Sequence, residues 1–119
     1  EIMRIGLPSA LVSASPRRLV DAVLTAIPTN PFEITISSDD VLRGKPHPDP
    51  YLKAAASVEV KIEDSLILED SPTGVTAARA SGAWVVAVPH IAPIEPAPKS
   101  VTVTSLAGHS LDSLWRLFD

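Results

Sequence analysis

The sequence predicts an α/β domain whose strands lie mostly parallel. Three observations carry that expectation. Apolar runs of strand length alternate with stretches whose apolar residues recur at helical spacing. Two helix starts share one form, Ser15–Pro16 and Ser71–Pro72. In each, a serine hydroxyl can cap free amides and proline suits the first helical position. Most of the twelve prolines fall between these segments. Alternating strands and helices build a mostly parallel sheet covered by helices.

Taken in order, Glu1–Ile5 reads as the tail of a helix, stopped by Gly6 and Pro8. Ala10–Leu11–Val12–Ser13 is a first strand. Ser15 is expected to cap the next helix. In that helix Leu19, Val20, Val23, Leu24 and Ile27 form one buried face, and Pro28 ends it. Phe32, Ile34 and Ile36 alternate as in a second strand. A polar loop over residues 37–50 holds Gly44, Pro46, Pro48 and Pro50. A helix over Pro50–Ser57 follows, with Asp49 as a candidate cap. Leu66–Leu68 is a third strand running into Glu69–Asp70. The Ser71–Pro72 helix carries Val75, Ala78 and Ala80 and stops at Gly82. Trp84–Val88 is a fourth strand, Pro89–Pro98 a proline-rich surface loop, Val101–Val103 a short last strand, and Leu111–Phe118 a closing amphipathic helix.

The chain has 119 residues, 45% of them apolar and 20% charged, which suits one domain around one core. A net charge of −4 without a basic patch argues against a nucleic-acid partner. Without cysteine there is neither a disulfide framework nor a thiolate metal site, which fits a reducing, cytoplasmic setting. No apolar run approaches the roughly 20 residues of a membrane span, and no signal-peptide pattern is visible.

Ligands of parallel α/β sheets sit at the carboxyl ends of the strands. Ser13, Lys45 and the Glu69–Asp70 pair fall at that edge. The Ser13 hydroxyl either bonds local backbone or, with the amide of Ala14 at a helix start, holds an anion. Lys45, in the turn Gly44–Lys45–Pro46, is either a solvated lysine or a point charge aimed at a phosphate or carboxylate. Glu69–Asp70 is either a cap with a first-turn acid or a hard-cation site. Mg²⁺ uses one or two carboxylates, waters and phosphate oxygens. His47, His90 and His109 lack metal-ligand spacing and read as surface residues. Trp84, Trp115 and Phe118 read as packing residues, and Arg17–Arg18 as a solvated pair.

Together these stretches resemble the haloacid dehalogenase (HAD) hydrolase superfamily, in its β-phosphoglucomutase-like branch. Leu11–Ser15 is similar to its second motif, Gly44–Leu52 to its third, and Leu66–Val75 with the continuation to Gly82 to its fourth. The resemblance implies a three-layer Rossmann-like core and a Mg²⁺-dependent phosphatase on a small phosphorylated metabolite, with a sugar phosphomutase as the alternative. It implies that Ser13 and the Ala14 amide hold the transferring phosphoryl group and that Lys45 neutralises it. It also implies that Asp70 ligates Mg²⁺ directly, and Glu69 directly or through water.

The family's first motif, Asp-x-Asp-Gly-Thr on an apolar strand, has no counterpart here. Asp39–Asp40 follows no apolar strand of that kind and precedes no Gly-Thr; Asp64 precedes its strand. Residues 1–119 are therefore expected to be the C-terminal part of one core domain, missing the central strand and the cap domain. A companion N-terminal fragment would carry the nucleophile and the cap, and this chain alone would be inactive. Two readings of another class are a non-catalytic partial domain and a phospho-receiver-like module. In receivers the acids come first and the lysine last, the reverse of the order here.

Overall fold

A computed structural model describes residues 2–89 and 93–119. It contains five helices and five strands among those residues. Helix α1 (Ile2–Ile5) leads into β1 (Ala10–Val12), α2 (Arg17–Ala26) and β2 (Ile34–Ile36). A 3-10 turn over Ser38–Asp40 precedes α3 (Asp49–Ser57). A second such turn, Ile62–Asp64, precedes β3 (Leu66–Glu69), α4 (Pro72–Ser81) and β4 (Trp84–Ala87). Strand β5 (Ser100–Thr102) and helix α5 (Leu111–Arg116) follow.

Every strand pairing in the two sheets is parallel, as expected. The strands form two separate sheets, however. β1 pairs with β2, matching Ala10 to Ile34. β4 lies between β3 and β5, matching Leu66 to Trp84 and Val86 to Val101. β1 and β3 do not pair. Their free edges flank a cleft of about 410 Å³, lined by Leu11 and Val12 on one side and Leu66, Ile67 and Leu68 on the other. This is the mid-sheet gap that the sequence led us to expect.

The core sits where α3 and α4 meet the three-stranded sheet. Tyr51, Ile67, Ala77, Ala78, Ala83 and Val85 form one buried cluster, with Val12 and Ile62 packed against it. β4 is the middle strand, which accounts for the complete burial of Val85, Val86 and Ala87. The fully buried Ala77 and Ala78 let the α4 backbone approach it closely. Gly82 stops α4 at φ +93°, a left-handed value that glycine adopts without a Cβ penalty. At the other end Trp84 packs edge to face on Trp115 and on Phe118, whose ring centre lies 5.0 Å away. Trp84 and Phe118 are half-buried packing residues, as expected, whereas Trp115 is exposed.

Several local expectations are corrected. Ser15 does not cap α2. Pro16 occupies the cap position, and the Arg17 amide donates to Asp39 Oδ2 at 2.7 Å. The predicted buried face of α2 is mostly solvent-facing: Val20 is buried, whereas Leu19, Val23 and Ile27 are exposed. The helix packs on the 3-10 turn at Ser38–Asp40, too small a surface to cover the whole apolar stripe. Asp49 is the first residue of α3 rather than its cap, and its carboxylate pairs with Arg43. Phe32 lies outside β2, Val88 outside β4 and Val103 outside β5; the last helix ends at Arg116. Ser71 does cap α4, accepting from the Gly74 amide at 3.0 Å. His47 and His109 are exposed, while His90 lies outside the described residues.

Candidate active site

The carboxyl ends of β1 and β3 stand on either side of the cleft, and one lysine reaches both. Lys45 Nζ donates to the carbonyl of Val12, the last residue of β1, at 3.1 Å. It also donates to Glu69 Oε2, at the end of β3, at 2.8 Å. Both side chains of this ion pair are only 9% exposed. An ammonium has three donors, so one N–H remains for another acceptor. The ammonium lies 5.0 Å from the centre of the Tyr51 ring, where the aromatic face adds a further attraction.

Glu69 is the most constrained group of the site. Its Oε2 accepts from Lys45 and from the Tyr51 hydroxyl. Its Oε1 accepts from the Asp70 amide at 3.2 Å. Gly74, in the first turn of α4, leaves the space the carboxylate fills: a Cβ there would lie 2.1 Å from Glu69 Cδ. Burial opposes the charged carboxylate. The hydrogen bonds from Lys45 and Tyr51, the lysine charge and the Asp70 amide outweigh that opposition, and the Glu69 carboxyl is held below its ordinary value. The same contacts act oppositely on Tyr51. Burial, then the bond to Glu69, then the charges of Glu69 and Asp70 push its hydroxyl far above the usual tyrosine range.

The remaining predicted residues take simpler positions. Asp70 is exposed, one residue beyond β3. Ser13 extends the β1–β2 pairing, its amide donating to the Ile36 carbonyl at 2.9 Å. The Ser13 hydroxyl accepts from the Ser15 amide at 3.1 Å, which is the local backbone bond anticipated as its simpler role. Its own proton is left to donate. Ala14 is exposed at the same strand end. The structure thus joins Lys45 directly to Glu69, with Ser13 and Asp70 as the next residues along the two strands. Among the described residues, no three His, Cys, Asp or Glu side chains converge as a metal cage. Glu69 and Asp70 together match the one or two carboxylates that Mg²⁺ uses, with the balance of its ligands from water and phosphate.

Asp39, Asp40 and Arg17 belong elsewhere. Arg17 is pinned rather than solvated, donating to Thr35 Oγ1 at 2.6 Å, to the Thr35 carbonyl at 2.7 Å and to Asp40. Asp40 also accepts from the amide and hydroxyl of Ser37. Those two bonds, then the Arg17 guanidinium, hold its carboxyl at about 2. These residues fasten the turn after β2 to the start of α2. Sequence reasoning assigned no role to Tyr51 or Gly74. Both lay inside the stretches that resemble family motifs, and the glycine three positions past the Ser71 cap was the available signal.

Fold and site define an α/β domain with a lysine–carboxylate cluster at the carboxyl ends of parallel strands. The family model for haloacid dehalogenase-like hydrolases matches residues 1–88, and the chain belongs to that family. Its neighbours place it in the β-phosphoglucomutase-like branch. The chain is 34% identical over 111 residues to a bifunctional riboflavin kinase/FMN phosphatase of Arabidopsis thaliana, covering 92% of this chain and 28% of that protein. It is 37% identical over 78 residues to phosphoglycolate phosphatase of Escherichia coli, covering 65% of this chain and 31% of that one. It superposes on CbbY from Rhodobacter sphaeroides in complex with xylulose-(1,5)bisphosphate with a TM-score of 0.80 and 26% identity. That match covers 90% of this chain and 50% of that one. The chain therefore spans about half or less of the proteins it matches. No helix among the described residues is long and apolar enough to cross a membrane.

Proposed function

We propose that this chain supplies one wall of a Mg²⁺-dependent phosphatase acting on a small phosphorylated metabolite. The observation that carries the reading is Lys45, bound to the end of β1 and to Glu69 at the end of β3, with one N–H to spare. Phosphoryl transfer needs charge neutralisation and alignment more than covalent machinery from the protein. In this reading the third Lys45 donor meets a phosphate oxygen. The Ser13 hydroxyl and Ala14 amide meet others at the end of β1. Asp70 and Glu69 would hold Mg²⁺, which supplies charge neutralisation when bound. The phosphoryl group would pass through an aspartyl-phosphate formed on a residue outside this chain. The cleft between β1 and β3 suits a strand carrying that aspartate, because an inserted strand would satisfy both free edges. The cysteine-free composition is in keeping with a cytoplasmic location.

A sugar phosphomutase is the second reading, favoured by the likeness to β-phosphoglucomutase-like structures. Hydrolysis of an aryl phosphate with Mg²⁺ separates them: release of inorganic phosphate supports the phosphatase, and turnover of a sugar phosphate to its isomer supports the mutase. The full-length protein should be active, and Asp70→Ala should abolish turnover. Retained activity in that variant would refute the assignment of Asp70. Activity from residues 1–119 alone would refute an external nucleophile.

A further inference from the structure

Tyr51 is the chain's one tyrosine, and its ring belongs to the core cluster with Ile67, Ala77 and Val85. A phenylalanine would fill that space equally well. A buried tyrosine needs some acceptor for its hydroxyl, and this one uses an oxygen already taken by an ammonium. A carboxylate has about four lone-pair sites, two on each oxygen. Lys45 and Tyr51 fill both sites of Glu69 Oε2. The Asp70 amide takes one site of Oε1 at 3.2 Å. One lone pair is left, on Oε1, beside Asp70. Gly74 leaves the carboxylate room to sit in this orientation.

We propose that Tyr51 is a positioning residue for Glu69, whose hydroxyl, with Lys45, saturates Oε2 so that Glu69 offers a cation Oε1 alone. The proposal rests on the reading of Glu69 and Asp70 as the cation site. It adds a consequence for selectivity. Mg²⁺ demands near-ideal octahedral geometry and suits single-oxygen carboxylates, whereas Ca²⁺ accepts two oxygens of one carboxylate. Holding Oε2 away therefore favours Mg²⁺ over Ca²⁺.

The test is calorimetric titration of the full-length protein with Mg²⁺ alone and with Ca²⁺ alone, for the wild type and Tyr51→Phe. The variant is expected to bind Mg²⁺ about 10- to 100-fold more weakly, the usual effect of losing a group that orients a ligand. Its Ca²⁺ affinity should be unchanged or improved. With an aryl phosphate, the Mg²⁺ concentration for half-maximal rate should rise while the KM for the phosphate stays fixed. A purely packing role for Tyr51 would move neither. Equal Mg²⁺ affinity in the two proteins overturns this proposal and leaves the site reading intact. A wild type that binds no Mg²⁺ overturns both. Should Tyr51→Phe fail to fold, a crystal structure of the wild type grown with Mg²⁺ decides. Glu69 Oε1 on the metal, with Oε2 on Tyr51, supports the proposal, and Oε2 on the metal overturns it.

Discussion

Alanine at position 74 should destabilise this protein, and removal of Glu69 should reverse the sign. Gly74 lies in α4 with no positive φ, so alanine meets no backbone strain there. In an ordinary helix the exchange would stabilise by about 0.5–1 kcal/mol. Here the new Cβ would fall 2.1 Å from Glu69 Cδ and 2.2 Å from Oε2. The end of a glutamate is flexible, so the clash alone is cheap to relieve. The carboxylate cannot move without leaving Lys45, however. The Lys45 side chain is 9% exposed, and stranding a buried charge costs about 3–5 kcal/mol. The helix gain offsets part of this, for a net loss of about 2–4 kcal/mol. In a Glu69→Ala background the obstacle is gone, and Gly74→Ala should stabilise by the helix increment alone. Urea unfolding of the four proteins in this cycle measures both numbers, provided the slopes agree. An equal effect of Gly74→Ala in the two backgrounds would refute the claim that the glycine exists to seat the carboxylate.

Three further outcomes are expected. Asp70→Ala should change the unfolding free energy measured in urea by no more than about 0.5 kcal/mol, because Asp70 is exposed, although it should abolish turnover in the full-length protein. Asp39→Ala should cost about 1 kcal/mol, the usual worth of a helix cap, since Asp39 supplies the acceptor for the Arg17 amide; an unchanged midpoint would count against that cap. Asp40 has a folded value of about 2 against an ordinary 3.8. Its contribution is therefore complete above about pH 4 and is lost as pH falls toward 2. The stability gap between wild type and Asp40→Asn should shrink over that interval, and a gap constant with pH would refute the assignment.

The sequence was most legible where the signal is local. Ser71 capping α4, Gly82 stopping it and Pro28 closing α2 each depend on a few neighbouring residues, and each stands in the structure. Ser15 failed as a cap because Asp39, 22 residues beyond Arg17, supplies the acceptor for the Arg17 amide instead. The α2 stripe failed because periodicity reports which residues share a face, not whether a surface exists to cover it. Ser13, Glu69 and Asp70 were legible as polar residues at strand ends, and Lys45 as a lysine in a rigid turn. Which of them touch was not, because the Lys45–Glu69 bond joins a loop to a strand end 24 residues away. Tyr51 was hidden because a buried aromatic on a helix looks like core until the partner of its hydroxyl is known.

The division of the sheet and the chemistry of the site are one problem. No backbone pairing connects β1 to β3. The two halves are held by α3, which packs on β1, β2 and α4, and by Lys45, which bonds the end of each strand. Desolvated ammonium needs its acceptors, so the spacing of those strand ends decides whether Lys45 can hold Val12 and Glu69 at once. If the ends spread, Lys45 must release one of them, and where that one is Glu69 the carboxylate loses a bond that helps keep it charged in a buried place. If they stay as they are, the third donor is free to meet an anion. A strand seated between β1 and β3 would fix that spacing through its own hydrogen bonds. It would thereby set the charge and orientation of Glu69 without touching it.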